Sequence, residues 1–309
     1  MQIYVAGISG MVGSAISIES IAQGHEVTGR PSKELDFTDR KAVFEEMKTH
    51  QPEALIIAAA KVGGIGANSS MPVDFLSINL QIQTNLLDAA HSARIRKVLF
   101  LGSSCIYPKF ASQPIAESAI LSGALEPTNE AYAIAKIAGL KLVEAYRRQF
   151  GHSWISAMPT NLYGPRDNFD RETAHVIPAL IYRIHEAKVN GENRVEIWGD
   201  GTPLREFLHV DDLARATLML LQTYNDVEPI NIGSRHEITI AKLAILIAKV
   251  IGFNGEISFN SDRPNGTPRK LLDNTKISSL GWKPEIELEV GIASTYDWFL
   301  SNIKKEQTV

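Results

Sequence analysis

Residues 2–16 read QIYVAGISGMVGSAI, and this stretch decides the fold. A short apolar run ends at Gly7, and a helical pattern opens after Gly10 and Gly13. The first glycine permits a tight turn, the second lets backbone amides approach a pyrophosphate, and the third lets the helix pack closely on the sheet. The spacing alone fits a surface turn equally well. The strand before it and the helix after it favour a dinucleotide-binding loop, which includes Met11 and Val12.

The rest of the first half alternates short apolar runs with longer amphipathic segments. This alternation is typical of a parallel sheet covered by helices on both faces. We therefore predict an α/β fold, a Rossmann-type doubly wound parallel sheet with a smaller, discontinuous α+β lobe. Ligands bind beyond the carboxyl ends of such strands, so chemistry is expected in the loops that follow them. The predicted strands cover 3–7, 26–29, 54–59, 97–103 and 154–159, and the predicted helices 11–23, 38–49, 72–93 and 129–150.

The pattern becomes less regular after about residue 160, where Pro, Gly, Asn and charged residues are frequent. Helices are predicted near 174–188, 210–223, 239–251 and 288–303. We interpret residues 1–160 as the dinucleotide-binding domain, with 206–233 returning to it. Residues 161–205 and 234–309 are predicted to form the substrate-binding lobe.

The composition of the 309 residues is that of an ordinary soluble protein, with 44% hydrophobic residues, 21% charged residues and a formal net charge of -4. This balance argues against a nucleic-acid or membrane-surface partner. The single cysteine excludes an intramolecular disulfide, and the first residues resemble a strand and not a basic leader. We therefore expect a cytoplasmic protein without a membrane partner.

The choice of cofactor is expected to depend on the end of the second strand, where the chain reads GRPSKELD. An acid at this position would bind a ribose 2′-hydroxyl and repel a 2′-phosphate. Here Arg30 and Lys33 take its place, which favours NADP(H) over NAD(H). The alternative is that both are solvated surface charges.

Three polar residues suggest reductase chemistry. Tyr132 and Lys136 are four residues apart in a helical segment and so share a face. An ammonium beside a phenol favours phenolate, so Lys136 is predicted to lower the pKa of Tyr132. Ser103 or Ser104, at the end of a predicted strand, would polarise a reacting carbonyl. An isolated Tyr-x-x-x-Lys pair is usually structural.

Glycine triplet, strand-end serine and Tyr-x-x-x-Lys, in this order, resemble the extended branch of the short-chain dehydrogenase/reductase superfamily. Longer motifs resemble the GDP-L-fucose synthase family over nearly the whole chain: AAAKVGGIGAN, FLGSSCIYPK, LEPTNEAYAIAKIAG, MPTNLYGPRDNFD, HVIPAL, GTPLREFLHVDDLA and GTPRKLLD. The resemblance implies NADPH-dependent conversion of GDP-4-keto-6-deoxy-D-mannose to GDP-L-fucose, by epimerisation at carbons 3 and 5 and reduction at carbon 4.

The resemblance also implies roles for individual residues. Cys105 and His175 would move protons at carbons 3 and 5, Ser103 would be the catalytic serine, and Tyr132 with Lys136 would serve the reduction. Without the resemblance, Cys105 is a small buried hydrophobe and His175 a helix-terminal residue bonded to backbone. No metal is implied. The implied cofactor contacts also include Leu101, Gly102, Ser104, Pro159, Asn161, Leu162 and His175, and the implied substrate contacts are Arg183, Trp198, Arg205 and Asn265.

The chain departs from the family pattern at three places. Ile8 and Ser9 stand where the family commonly has His-Arg, and Ser32 stands where a basic residue is frequent. The preference for NADP therefore depends on Arg30 and Lys33. Asn265 replaces a carboxylate expected near the substrate.

Other functions remain open at this point. The close alternatives are a GDP-L-colitose synthase, which inverts one centre fewer, and a nucleotide-sugar 4-epimerase that keeps its NAD. A non-catalytic NADP-binding sensor is a third, which could dispense with Tyr132 and Lys136. The resemblance further implies a homodimer formed through the helices near 72–93 and 129–150.

Overall fold

A six-stranded parallel sheet forms the centre of the computed structural model, which describes residues 1–262 and 266–306. Apart from the edge strand Glu26–Thr28, its strands are rich in aliphatic residues and almost fully buried, as expected when helices cover both faces. The strand order is β2-β1-β3-β4-β5-β9. The strands are β1 (Gln2–Ala6), β2 (Glu26–Thr28), β3 (Ala54–Ile57), β4 (Lys97–Leu101), β5 (Ile155–Pro159), β6 (Asn161–Tyr163), β7 (Arg194–Trp198), β8 (Leu204–His209), β9 (Ile230–Ile232), β10 (Glu237–Thr239), β11 (Glu256–Asn260) and β12 (Arg269–Lys270).

Two helical layers cover this sheet. Helices α2, α4 and α5 pack over one face, and α1 and α7 pack over the other. The predicted doubly wound α/β fold is thereby confirmed. The helices are α1 (Met11–Ala22), α2 (Arg40–His50), α3 (Ile65–Ser70), α4 (Pro72–Ser92), α5 (Glu130–Phe150), α6 (Val176–Val189), α7 (Val210–Thr223), α8 (Ile240–Ile251), α9 (Thr275–Ser279) and α10 (Leu288–Glu306).

The sheet has its topological switch point at β1, which pairs with β2 on one side and with β3 on the other. The loops after β1 and β3 therefore diverge and leave a crevice at their carboxyl ends. Gly7 lies there with φ +90°, and a Cβ atom on it would come within 2.8 Å of the Ala59 backbone nitrogen. The glycine is therefore required by both its conformation and its surroundings.

A second, smaller core lies beside the main sheet. Strands β10, β8 and β12 form a small sheet to which β6 also pairs, and β7 pairs with β11. Helices α6, α8 and α10 supply the apolar side chains of this core. Within the segment 206–233, α7 and β9 lie on the main sheet, whereas β8 belongs to the smaller one. The exact boundaries of the two predicted lobes stay a prediction.

The predicted strand over 97–103 ends earlier than expected, at Leu101. Ser103 is extended, and its Oγ accepts a hydrogen bond from the Cys105 amide at 3.2 Å. The chain therefore turns into a 3-10 helix at Ser104–Ile106. Serine side chains compete with the backbone in this way at strand and helix ends.

None of the helices in the described ranges is long and apolar enough to cross a membrane.

Glu206, on β8, joins the two lobes. It is fully buried, and its carboxylate accepts hydrogen bonds from the backbone amides of Arg235 at 2.7 Å and Leu272 at 3.1 Å. Its backbone carbonyl accepts from the Asn161 side chain at 2.8 Å. Burial without these donors would carry a large desolvation cost.

We expect Glu206→Ala to lower the free energy of unfolding by about 3 kcal/mol, because it leaves the buried Leu272 amide and the partly buried Arg235 amide without acceptors. Urea denaturation followed by circular dichroism measures this. Glu228→Ala, which removes an exposed ion pair with Lys276, is the control and should change stability by less than about 0.5 kcal/mol. Equal effects of the two substitutions would contradict the role given to Glu206.

Candidate active site

The glycine loop leaves an open helix N-terminus at the crevice. Gly10 is the N-cap of α1 and supplies no side-chain cap. A Cβ on Gly10 would meet only the Gly7 oxygen, at 3.5 Å, whereas one on Gly13 would collide with that oxygen at 2.0 Å. Gly13 therefore serves close packing of the helix, and Gly10 leaves space for a ligand at the exposed amides. Helix N-termini of this kind bind phosphate groups.

Arg30 follows β2 and is held by carboxylates. Its Nε donates to Glu46 at 3.1 Å, and its guanidinium lies 3.6 Å from Glu34. The hydrogen bond and the charge of Glu46 raise the pKa of Arg30 above its ordinary value. Glu46 also accepts from Tyr4, so it fixes the position of the arginine. Lys33 lies nearby and is exposed.

The carboxyl end of β4 brings the predicted serine and cysteine together. Gly102 donates to the Ala157 carbonyl at 2.9 Å, and a Cβ on it would collide with Met158 at 2.4 Å. Ser104 is buried, whereas Ser103 and Cys105 are partly exposed. The turn capped by Ser103 therefore places Ser103 and Cys105 together at this end of the sheet.

Tyr132, on the first turn of α5, also lies at the carboxyl end of β4. Burial, and then the charge of Cys105, raise the pKa of Tyr132 well above its ordinary value, and a hydrogen bond with Ser103 opposes that shift. Its ring meets Phe75 edge to face, with centroids 6.4 Å apart. The Tyr132 phenol thus lies close to Ser103 and Cys105.

Lys136 lies one turn further along α5 and is only 4% exposed. Its Nζ donates to the Leu101 carbonyl at 2.8 Å and lies 5.0 Å from the Phe100 ring centroid and 5.8 Å from that of Tyr132. Burial lowers the pKa of Lys136 to about 8. The predicted lowering of the Tyr132 pKa by Lys136 is wrong for this structure, because burial of the phenol outweighs other effects and the ammonium faces a carbonyl.

Two residues that the sequence analysis missed face the Cys105 sulfur. Asn129 Nδ2 donates to Sγ at 3.3 Å, and Lys270 Nζ lies 3.9 Å from it. Both stand inside motifs that carry the family resemblance, LEPTNEAY and GTPRK. Nothing in their spacing indicates that they meet Cys105, since 24 and 165 residues separate them from it. The sulfur therefore has polar neighbours, unlike a packed hydrophobe.

Arg205, from the smaller lobe, also lies near Cys105. It lies on β8 opposite Lys270 of β12. Burial lowers the pKa of Arg205, while the charges of Glu126 and Cys105 oppose the shift. Two basic side chains from adjacent strands therefore lie beside Cys105. Guanidinium and ammonium groups in this arrangement suit phosphate or sugar oxygens.

His175 is the N-cap of α6, in the smaller lobe. Within the described part of the chain, its imidazole makes no capping hydrogen bond, so it does not serve the helix. The His175 side chain is exposed. The preceding loop is tied to the main domain by a bond from the Gly64 amide to the Thr173 carbonyl at 2.8 Å.

The remaining predicted contacts belong to other elements. The Arg183 guanidinium lies 5.6 Å from the Trp198 ring centroid and donates to the Glu196 carbonyl at 2.9 Å. Trp198 is 57% exposed at the end of β7. Pro159 is the last residue of β5, and Asn161 and Leu162 lie in β6, which follows it. Asn265 lies outside the described residues.

Metal ligands are a separate question. Among residues 1–262 and 266–306, no group of three or more His, Cys, Asp or Glu side chains could hold a metal ion. The groups gathered at the carboxyl end of β4 are instead a phenol, a hydroxyl, a thiol and basic side chains. Such groups transfer protons and hold anions.

A nucleotide crevice next to a serine, a tyrosine and a buried lysine defines the class of protein, and comparison with known proteins agrees. Residues 3–233 match the model of the NAD dependent epimerase/dehydratase family, and the chain belongs to that family. GDP-L-fucose synthase 1 of Arabidopsis thaliana is 54% identical over 303 residues, which cover 98% of this chain and 94% of the relative. The resemblance predicted from the sequence is therefore confirmed.

Two further comparisons bear on the substrate and the cofactor. The GDP-L-colitose synthase of Yersinia pseudotuberculosis is 42% identical over 97% of this chain and 98% of its own. The crystal structure of a GDP-L-fucose synthetase from Naegleria fowleri bound to NADP superposes with a TM-score of 0.88 at 30% identity. It covers 98% of this chain and 95% of that one.

The lowered pKa of Lys136 has a measurable consequence. Below pH 8 the buried ammonium destabilises the folded state; between pH 8 and 10.5 only the unfolded chain binds that proton, so stability rises with pH. We expect the stability of the cofactor-free protein, relative to Lys136→Met, to rise by roughly 1–2 kcal/mol from pH 7 to pH 9.5.

Urea denaturation at the two pH values measures this difference. Lys141→Met, on the exposed side of the same helix, serves as the control, and its stability relative to the parent should stay constant. A difference between the parent and Lys136→Met that does not change with pH would contradict the buried ammonium.

Proposed function

We propose that the protein converts GDP-4-keto-6-deoxy-D-mannose to GDP-L-fucose, by epimerisation at carbons 3 and 5 followed by NADPH-dependent reduction at carbon 4. The main support for this proposal is that Tyr132, Ser103 and Cys105 lie close together at the carboxyl end of β4. A reductase alone needs the phenol and the hydroxyl. The thiol beside them adds a group for proton transfer next to the ketone.

NADPH, when bound, supplies the hydride for carbon 4. The open N-terminus of α1 receives its pyrophosphate, and Arg30, fixed by Glu46, faces its 2′-phosphate together with Lys33. Lys136 holds the ribose. Its ammonium is held at the carboxyl end of β4 by the bond to the Leu101 carbonyl. The NADP-bound structure from Naegleria fowleri supports this choice of cofactor.

Reduction of a ketone requires a proton for the new hydroxyl oxygen. The raised pKa of Tyr132 keeps its phenol protonated at neutral pH, which suits a general acid. Ser103 donates to the same 4-oxygen and stabilises the negative charge that develops there. Ser103 therefore serves both steps, because the enolate formed during epimerisation carries its charge on the same oxygen, whereas Tyr132 serves the reduction.

Epimerisation requires a base and an acid on opposite faces of the sugar ring. The sulfur of Cys105 faces an amide donor and an ammonium, and the thiolate is the form that accepts from both. Cys105 therefore acts as the base. His175, whose imidazole is not used in capping its helix, acts from the smaller lobe as the acid.

The GDP part of the substrate needs basic and flat apolar surfaces. Arg205 offers a guanidinium beside the reacting centre, and Arg183 with Trp198 offers a second one next to an exposed indole. These residues belong to the smaller lobe, whereas the cofactor loop belongs to the main sheet. Both substrate and cofactor therefore bind between the two lobes, and residues 161–205 and 234–309 form the substrate-binding part.

The alternative functions differ in whether NADPH is consumed and in which sugar carbons exchange hydrogen with the solvent. A GDP-L-colitose synthase is less favoured, since identity to that relative is 42% against 54% for the fucose synthase. A 4-epimerase would not consume NADPH, and a sensor would bind NADPH without turnover. The presence of a hydrogen-bonded thiol beside Tyr132 argues against the last two.

We further propose a cytoplasmic homodimer formed through α4 and α5. These helices pack against each other on one face of the sheet. They expose apolar side chains at Val73, Ile134 and Phe150, of which Val73 is 74% exposed. Pairing of such helices between two copies would bury this surface.

Product analysis by proton NMR in deuterated water tests the proposed function. With purified protein, NADPH and the keto sugar, the product should be GDP-L-fucose carrying deuterium at carbons 3 and 5, and one NADPH should be oxidised per product. Deuterium at a single carbon would indicate a colitose-type reaction. Binding of NADPH without turnover would indicate a sensor.

Two substitutions are expected to separate the two half-reactions. Cys105→Ser should reduce deuterium exchange at least a hundredfold, because a hydroxyl is a far weaker base, and should leave NADPH affinity within about twofold. Tyr132→Phe should still exchange deuterium while NADPH oxidation falls at least a hundredfold, since it lacks the proton donor. Normal epimerisation by Cys105→Ser would contradict the role assigned to the thiol.

A further inference from the structure

Glu126 lies where three segments around Cys105 meet. Its Oε2 accepts hydrogen bonds from Lys109 Nζ at 3.0 Å and Thr267 Oγ1 at 3.2 Å. Its Oε1 accepts from Thr128, through the backbone amide at 3.4 Å and the hydroxyl at 3.2 Å. The side chain is 12% exposed. The mechanism described above does not use this carboxylate.

One side of the carboxylate fixes Asn129. Glu126 caps the 3-10 helix Pro127–Asn129, and its backbone carbonyl also accepts from the Asn129 amide at 3.1 Å. The 3-10 helix leads directly into α5, of which Asn129 is the N-cap. The Glu126 carboxylate fixes the turn through Thr128, next to Asn129, and so helps to direct the Asn129 side chain toward Sγ.

The other side fixes Lys270. Thr267 stands three residues before it, and β12 consists of only Arg269 and Lys270. Pairing with β8 and the ion pair of Arg269 with Glu237 hold this strand, and the bond from Thr267 to Glu126 holds the segment that leads into it. The same carboxylate therefore helps to position the Lys270 ammonium relative to Sγ.

Lys109 completes the group from the loop that carries Cys105. It stands four residues after the cysteine, and its amide donates to the Ala124 carbonyl at 2.9 Å. Burial raises the pKa of Glu126, but the bonds from Lys109 and Thr128 outweigh it and leave that pKa below the ordinary value. The carboxylate is therefore charged at neutral pH and attracts Lys109 strongly.

We propose that Glu126 is a positioning residue for epimerisation, which holds Asn129 and Lys270 against the sulfur of Cys105. This inference rests on the proposed function, in which the thiolate is the base. Glu126 itself acts only through its neighbours. A merely structural role would change stability but would leave the reactivity of the sulfur unaltered.

The reactivity of the sulfur can be measured without substrate, because Cys105 is the only cysteine of the chain. Alkylation by iodoacetamide at pH 7.5, followed by mass spectrometry, reports the thiolate fraction. We expect Glu126→Gln to slow alkylation about fivefold, because Asn129 and Lys270 no longer stabilise the thiolate. Thr128→Val and Thr267→Val, which each remove one bond, should slow it about twofold.

Glu117→Gln is the matched control. Glu117 also lies in a 3-10 helix and accepts a backbone bond, from Asn231 at 3.0 Å. This substitution should leave the alkylation rate unchanged. A second control is thermal melting, which shows that each variant is folded at the temperature of the assay.

A double-mutant cycle separates positioning from general weakening. In a Lys270→Met background, Glu126→Gln should slow alkylation less than twofold, because part of its effect passes through that ammonium. Deuterium exchange into the keto sugar should fall about tenfold in Glu126→Gln while NADPH affinity stays within twofold. Unchanged alkylation in Glu126→Gln, or full additivity in the cycle, would overturn the proposal.

The failure of the proposed function would look different. In that case the parent protein itself would introduce no deuterium into the keto sugar. The alkylation rates of the substrate-free variants would still follow the pattern given above, because they depend only on the contacts around the sulfur.

Discussion

The hydrogen bond from the Cys105 amide to Ser103 Oγ is the constraint on which the site depends. It ends β4 at Leu101 and turns the chain, so that hydroxyl and thiol lie together beside the Tyr132 phenol. Arg205 and Lys270, from the smaller lobe, meet the main domain at this point. The chemistry therefore lies where the two cores join.

Burial controls the charges in this site. It keeps the Tyr132 phenol protonated and lowers the pKa of Lys136 to about 8. In both cases burial disfavours the charged form of the side chain, which is the phenolate of Tyr132 and the ammonium of Lys136. A buried ammonium destabilises the fold, and the hydrogen bond from Lys136 to the Leu101 carbonyl offsets only part of this cost. Lys136 is therefore better suited to hold a cofactor hydroxyl than to stabilise the protein.

Much of the fold could be predicted from the sequence, because local patterns determine it. The glycine triplet and the alternation of apolar runs and amphipathic segments indicated the doubly wound sheet, and the motif around Cys105 indicated the family. Asn129, Lys270 and Glu126 could not be assigned roles, since contacts between distant segments bring them to the sulfur. The pKa of Tyr132 was predicted in the wrong direction because spacing on a helix does not reveal burial. The carboxylates that hold Arg30 were likewise hidden, since Glu46 lies sixteen residues away.

In the proposed reaction the Cys105 sulfur and the Tyr132 phenol face the same sugar ring. Protection of Cys105 from iodoacetamide in the unsubstituted protein is a direct test of this arrangement. With NADP present, saturating GDP-L-fucose should slow alkylation at least tenfold, because the sugar covers the sulfur, whereas GDP alone should protect much less. Equal alkylation rates with GDP-L-fucose, with GDP and without ligand, under conditions where binding of both is verified, would contradict the account.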